Sequence, residues 1–161
     1  LWDISIKLIN NNKTNTNKKN MPTASITLTS ADIAGDPVNV SKTSTCYKAD
    51  STTPLDQTNG LQRLILTTAS AKEIYTAENA AEGLGLNANA KVFIRNASTV
   101  TTEFITVTIN ATVIGKLYAG QWLFMPWSQN DTAADIKVTA SAAGKSMPIE
   151  HMLMHEGYFN A

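Results

Sequence analysis

The sequence predicts an all-β protein, an antiparallel β-sandwich of jelly-roll or Ig-like type preceded by an N-terminal extended arm. Three observations carry this. Polar and apolar residues alternate with period two in run after run, which places one set of side chains on a buried face and the other in water. Threonine and valine, which suit a pleated, half-buried surface, recur in those runs. Turn-forming clusters separate them, among them Gly35-Asp36-Pro37, Asn59-Gly60, Asn110-Ala111, Ala119-Gly120 and Asn130-Asp131, as in sandwiches and barrels built of short strands.

The elements follow in chain order. Residues 1–20 end in Asn10-Asn11-Asn12-Lys13-Thr14-Asn15-Thr16-Asn17-Lys18-Lys19-Asn20. That run has no apolar periodicity and too little apolar surface to offset the entropy of ordering it, so it reads as an arm. Met21-Pro22-Thr23 opens a different texture and would suit a translation start, so the segment before it is either left by processing or an upstream extension. Ser25-Ile26-Thr27-Leu28-Thr29 alternates within a strand over 24–29, and Val38-Asn39-Val40-Ser41 within one over 37–47. Further strands are expected over 61–68, 72–76, 91–96, 102–109, 112–118, 121–126, 134–140 and 147–155, with Ile105-Thr106-Val107-Thr108-Ile109 and Asp135-Ile136-Lys137-Val138-Thr139 the clearest alternations. The stretch 71–81 is ambiguous. Lys72, Glu73, Glu78 and several alanines suit a helix, whereas Ile74-Tyr75-Thr76 suits a strand; a strand followed by a loop is the reading adopted. Residues 21–161 are expected to form a single sandwich domain.

Composition excludes several classes. The chain of 161 residues carries 13 Lys plus Arg against 13 Asp plus Glu, which removes uniformly basic nucleic-acid binders and acidic solvating chains. The one cysteine, Cys46, cannot form an intrachain disulfide. No run approaches the roughly 18 consecutive apolar residues of a membrane span, and the start lacks the pattern of a signal peptide. The neutral total conceals a polarity: the first 20 residues hold four Lys and one Asp, leaving nine basic against twelve acidic residues in the body. One copy's arm would therefore favour another copy's body, an attraction that salt weakens.

Few stretches suggest chemistry. In Glu150-His151-Met152-Leu153-Met154-His155-Glu156 a helix would place both histidines on one face as metal ligands, with the flanking Glu150 and Glu156 as ligands or base. The order is not that of a zinc protease motif, however, and no third ligand cluster accompanies it. As a strand the stretch mixes apolar and polar residues on both faces, as near a sheet edge or a subunit contact. Cys46 has no nucleophile motif around it, and Gly83-Leu84-Gly85 lacks the remaining features of a dinucleotide fingerprint. Five N-x-S/T sequons, including Asn96-Ala97-Ser98, are near what chance gives in a chain this rich in Asn, Ser and Thr. No catalytic residue, cofactor or metal ligand is assigned, and an enzyme is not expected.

Candidate interface residues are of two kinds. Trp122-Leu123-Phe124-Met125-Pro126-Trp127 is the densest aromatic stretch; alternation puts Trp122 and Phe124 on one face and Leu123, Met125 and Trp127 on the other. A strand apolar on both faces is either inside the sandwich or covered by another subunit. Lys7, Lys13, Lys18 and Lys19 form the basic arm, either a solvated tail or a tether that orders on an acidic surface or a neighbouring copy.

The order of elements from Lys91-Val92-Phe93-Ile94-Arg95-Asn96 through Ile105-Thr106-Val107, Leu117-Tyr118-Ala119-Gly120-Gln121-Trp122, Asp135-Ile136-Lys137-Val138 and Ile149-Glu150-His151 resembles a β module of small virion structural proteins of tailed bacteriophages. The resemblance covers about residues 91–156. His151 stands where that pattern has an aromatic, and the arm lies outside it. The resemblance implies a non-enzymatic capsid decoration or cement protein on the virion, on the capsid surface ahead of the tail. Its partner would be the major capsid protein or another virion protein, bound by a homo-oligomer with a trimer favoured, and neither nucleic acid nor membrane. The alternatives are a tail or head-fibre component, or a host-surface module in which Trp122 or Trp127 contacts glycan. A metal-dependent hydrolase using His151, His155 and Glu156 is the remote alternative.

Overall fold

In the computed structural model, residues 3–5, 21–33, 36–48, 52–77, 89–128, 133–142 and 146–156 are described, and every regular element among them is a strand. The strands are β1 (Asp3–Ser5), β2 (Thr23–Ile33), β3 (Asp36–Thr45), β4 (Gln57–Thr58), β5 (Gln62–Leu66), β6 (Lys72–Tyr75), β7 (Ala90–Asn96), β8 (Phe104–Ile109), β9 (Thr112–Tyr118), β10 (Trp122–Trp127), β11 (Ile136–Ala140) and β12 (Met147–His155). They fall in two compact units, Leu1–Asp56 and Gln57–Ala161.

The first unit is a three-stranded antiparallel sheet in the order β1-β2-β3. Its register sorts the alternating sequence into rows. Asp3, Thr29 and Asn39 lie abreast, as do Ser5, Thr27 and Ser41, while the row between them is Ile4, Leu28 and Val40. Hydroxyls on the polar face bond across the strands, Ser25 to Thr43 at 2.7 Å and Thr27 to Ser41 at 3.4 Å, the cross-strand pairing that stabilises exposed sheet. Within the segment expected as an arm, Asp3–Ser5 is thus strand, while Lys7, Lys13, Lys18 and Lys19 lie outside the described residues. After β3 the chain closes a loop: Leu55 N–H donates to Cys46 O at 2.8 Å, Lys48 N–H to Thr53 O at 2.7 Å, and the buried Lys48 ammonium meets Asp56 at 2.7 Å.

The second unit is a sandwich of two antiparallel sheets. One has the order β10-β7-β12-β4 with β5 also on β12, and the other β6-β11-β8-β9. From β5 onward the strands pair as first with last: β5 with β12, β6 with β11, β7 with β10 and β8 with β9. One long antiparallel hairpin has been rolled up, and β7–β12 and β8–β11 pairings close it. This is the winding of a jelly roll. Of the two sandwich types the sequence allows, the strand order selects this one.

Alternation dictates the core. Ala90, Val92 and Ile94 of β7, Ile105 and Val107 of β8, Ile136, Val138 and Ala140 of β11, and Met147, Ile149 and Leu153 of β12 point between the sheets and are buried. Fully burying such an aliphatic side chain contributes about 1.5–3 kcal/mol, so this layer holds the sheets together.

Turns occupy positions the sequence marked. Asn110 closes the two-residue β8–β9 turn at φ 55°, and Gly120 begins the return to β10 at φ 78°, both in the left-handed region that Asn and Gly enter most readily. Beside that last turn, at the end of β7, Asn96 is fully buried and joins several segments, its carbonyl accepting from Gly120 N–H at 2.9 Å. Its side-chain amide donates to Glu103 O at 3.3 Å and Leu117 O at 3.0 Å, its Oδ1 accepts from Ser98 N–H at 3.0 Å, and its backbone N–H donates to Gln121 O at 2.9 Å. Ser98 in turn bonds the buried Glu103 carboxylate. The Arg95-Asn96 turn is thus a structural corner, and its sequon is inaccessible in the folded chain.

Candidate functional site

β10 is an edge strand of the five-stranded sheet, and its two faces divide the aromatic residues. Leu123 and Met125 pack against the core and Trp127 lies within it at 3 % exposure, its indole N–H donating to Ala134 O at 2.8 Å. Trp127 is therefore corrected from a candidate contact residue to a core anchor: a ring closed in and with its N–H satisfied presents nothing to a partner. Trp122 and Phe124 lie half-buried on the opposite, outer face.

Register assembles the rest of that face. Trp122 sits opposite Arg95, Arg95 opposite Glu150, and Glu150 opposite Arg63, so one row crosses four strands. The next row is Phe124, Phe93 and Met152. Glu150 bridges two arginines, at 3.2 Å to Arg63 and 3.1 Å to Arg95. Because the arginines are well exposed, these ion pairs position side chains more than they stabilise the fold. Phe93 and Trp122 pack with ring centroids 6.4 Å apart, within the range of favourable aromatic pairs. The outcome is an aromatic and methionine strip beside a row of two arginines and a glutamate, a surface suited to contact. Arg63, Phe93 and Glu150 were not singled out for this face from sequence, because the pairing that unites them is non-local; the alternation of 91–96 and 147–155 was the available signal.

The two histidines separate. The 147–155 stretch is a strand, so residues four apart lie roughly 13 Å from each other along the chain, and the helical pairing needed for a shared metal is not formed. Among the described residues no group of three His, Cys, Asp or Glu is placed to hold a metal ion. His151 faces the core: its Nδ1 lies 2.7 Å from the Tyr75 hydroxyl, and Asn59 Nδ2 donates to that hydroxyl at 3.3 Å. Tyr75 accepts from Asn59 and donates to Nδ1 of neutral His151. Burial lowers the His151 pKa from its usual 6.5 and pushes the Tyr75 phenol up to about 12, the Asn59 bond opposing that rise. The rings pack edge to face at 5.3 Å, and Tyr75 meets Trp127 at 5.9 Å. Asn59 also pins β12, its Oδ1 accepting from Leu153 N–H at 2.8 Å. The arrangement is a polar knot in the core that links β6 and β12 through Tyr75, His151 and Asn59. His155 Nδ1 contacts the carbonyl of Glu156 at 2.7 Å, a local bond at the end of β12. Cys46 is buried, and the Gly83-Leu84-Gly85 loop lies outside the described residues.

No protein-family model matches the chain, and no curated protein is significantly similar to it.

Proposed function

We propose that the protein is a non-enzymatic virion structural component, a decoration or cement protein that binds the major capsid protein and reinforces the shell. The observation that carries the reading is the pairing of a jelly roll, a fold used in viral capsids, with an added β1–β3 sheet in which no described side chain is buried. A jelly roll is also a lectin fold, so fold alone does not assign a role. The order of strands resembling phage virion modules adds to the case, as does the engagement of His151, Tyr75 and Asn96 in packing. Reinforcement of this kind needs breadth of contact, which hydroxyl-lined strands and an aromatic strip supply.

Trp122, half-buried beside Arg95 on the outer face, favours a second reading as a head-fibre or tail module touching host glycan, since exposed indole faces stack on sugars and Arg supplies donors. A cryo-EM map of virions separates the readings by copy number. Hundreds of copies per particle on the shell are expected. A dozen or fewer indicate tail or fibre, and none on purified virions defeats both readings.

A further inference from the structure

Residues 57–61, which comprise β4 and the turn into β5, are fastened to one end of β12 by hydrogen bonds more than by packing. None of their described side chains is buried, and Leu61 is 61 % exposed. β4 meets β12 at two positions, Thr58 abreast of Met154 and Gln57 of His155. Leu153 is bonded through both of its backbone groups: its carbonyl accepts from Thr58 Oγ1 at 2.8 Å and from Asn59 N–H at 3.3 Å, and its N–H donates to Asn59 Oδ1 at 2.8 Å. A segment with exposed bonds and no apolar anchor belongs to the low-stability end of a fold, where opening is local.

One chain of hydrogen bonds ties this strap to the core, and its direction is fixed. With Oδ1 taken by Leu153, Asn59 turns its amide nitrogen to the Tyr75 hydroxyl, and that nitrogen can only donate. Among the described residues the phenol's other partner is His151 Nδ1, so the phenol proton goes there and Nδ1 carries none. A proton arriving at Nδ1 reverses the link: two donors converge on the phenol oxygen, and its O–H loses its acceptor. We propose that residues 57–61 are an acid-released strap, which lifts off β12 when His151 takes up a proton while the two sheets of the roll stay closed.

The surroundings of His151 favour release over accommodation. Ile94 of β7 and Gln62 of β5 lie abreast of it, and Tyr75 is the titratable group that faces it from β6. Lys91 and Arg95 of β7, Arg63 of β5 and Glu150 of β12 belong to the opposite face. Lys72 and Glu73 of β6 are exposed, Glu73 3.5 Å from Lys137, while Asp135 lies 3.7 Å from Lys137 and accepts from Ala77 N–H. Asp56, just before the strap, pairs with Lys48, and His155 turns its Nδ1 to the Glu156 carbonyl. An imidazolium at this place therefore gains most from water. Burial lowers the His151 pKa from its usual 6.5, and lifting the strap admits water to the ring, so the open state takes up the proton first. Opening then becomes easier by up to about tenfold per pH unit below about pH 6.5. The inference does not depend on a virion role, since it concerns the chain alone.

Amide hydrogen exchange of the full chain, followed by NMR and expressed as protection factors, tests it. Between pH 7.5 and 5.5 the Leu153 and Asn59 amides are expected to lose protection by about fivefold or more, whereas Ile94 and Val138, in strands paired on both sides, hold theirs. His151→Gln, which keeps an acceptor for Tyr75 but does not titrate, is expected to remove the pH dependence at Leu153. Should that variant not fold, His155→Gln decides, because the chain has two histidines: the loss at Leu153 is expected to persist in it. Leu153 protection that does not change with pH, that falls in step with Ile94 and Val138, that still falls in His151→Gln, or that stops falling in His155→Gln overturns the inference.

Discussion

Asn96 shows how one residue can hold a corner that hydrophobic packing cannot. It sits at full burial with its amide group spent on two carbonyls and one N–H, so Asn96→Ala strands three polar groups. Each buried unsatisfied group costs about 1–3 kcal/mol, and a loss of about 3 kcal/mol or more is expected in urea unfolding. His151 gives a signed pH dependence. Its folded pKa lies below the unfolded value, so the unfolded chain takes up the proton first; stability holds above about pH 6.5 and falls as pH drops toward the folded pKa. His151→Phe should flatten that region of the acid profile, measured as urea midpoints between pH 7.5 and 5. Tyr75 acts at the other end, where its contribution is present below about pH 10 and lost as pH rises toward 12. At this scale the sequence was half legible. That 122–127 divides Trp122 from Trp127 follows from alternation alone, but which face is inward depends on the strand's neighbours. His151 carried only a remote metal reading in the sequence, and its partner Tyr75, 76 residues away, could not be read there.

Strands were largely readable because alternation is a local signal. The expected 112–118 and 147–155 coincide with β9 and β12, most others shift by one or two residues at their ends, and the strand adopted within 71–81 is β6. β1 and β4, with three and two residues, are too short to alternate detectably and exist only through partners distant in sequence. Pairing order was illegible for the same reason, since nothing local tells β5 to seek β12. β9 illustrates how a free edge is blunted: its register slips between Val107 and Thr108 against Gly115 and Val113, a bulge that interrupts the ladder. The turn from β9 to β10 is a point of leverage. Gly120 has open space around the place of a Cβ but a φ of +78°, so Gly120→Ala carries the left-handed penalty alone. A loss of about 1–2 kcal/mol is expected, with the thermal midpoint lowered and the native circular dichroism spectrum kept.

The whole molecule divides its tasks. Among the described residues the buried cluster lies within Gln57–Ala161, so a fragment of residues 57–161 is expected to unfold cooperatively with the near-ultraviolet signature of Trp127 intact. A molten fragment without that signature would show that the first unit is needed for folding. Because the roll begins and ends together, Gln57 lies directly across from His155, and that geometry fixes how the roll bears force. Tension entering at Gln57 and leaving at His155 draws two adjacent strand ends away from each other sideways, so the hydrogen bonds between β4 and β12 break in succession, as in peeling. A load pressed on the sheet faces meets the interdigitated core all at once. The jelly roll is thus mechanically anisotropic, soft to a pull along its own chain and stiff to compression across its faces, and single-molecule pulling through residues 57 and 155 should open it at lower force than pulling through positions at opposite ends of β7 and β12.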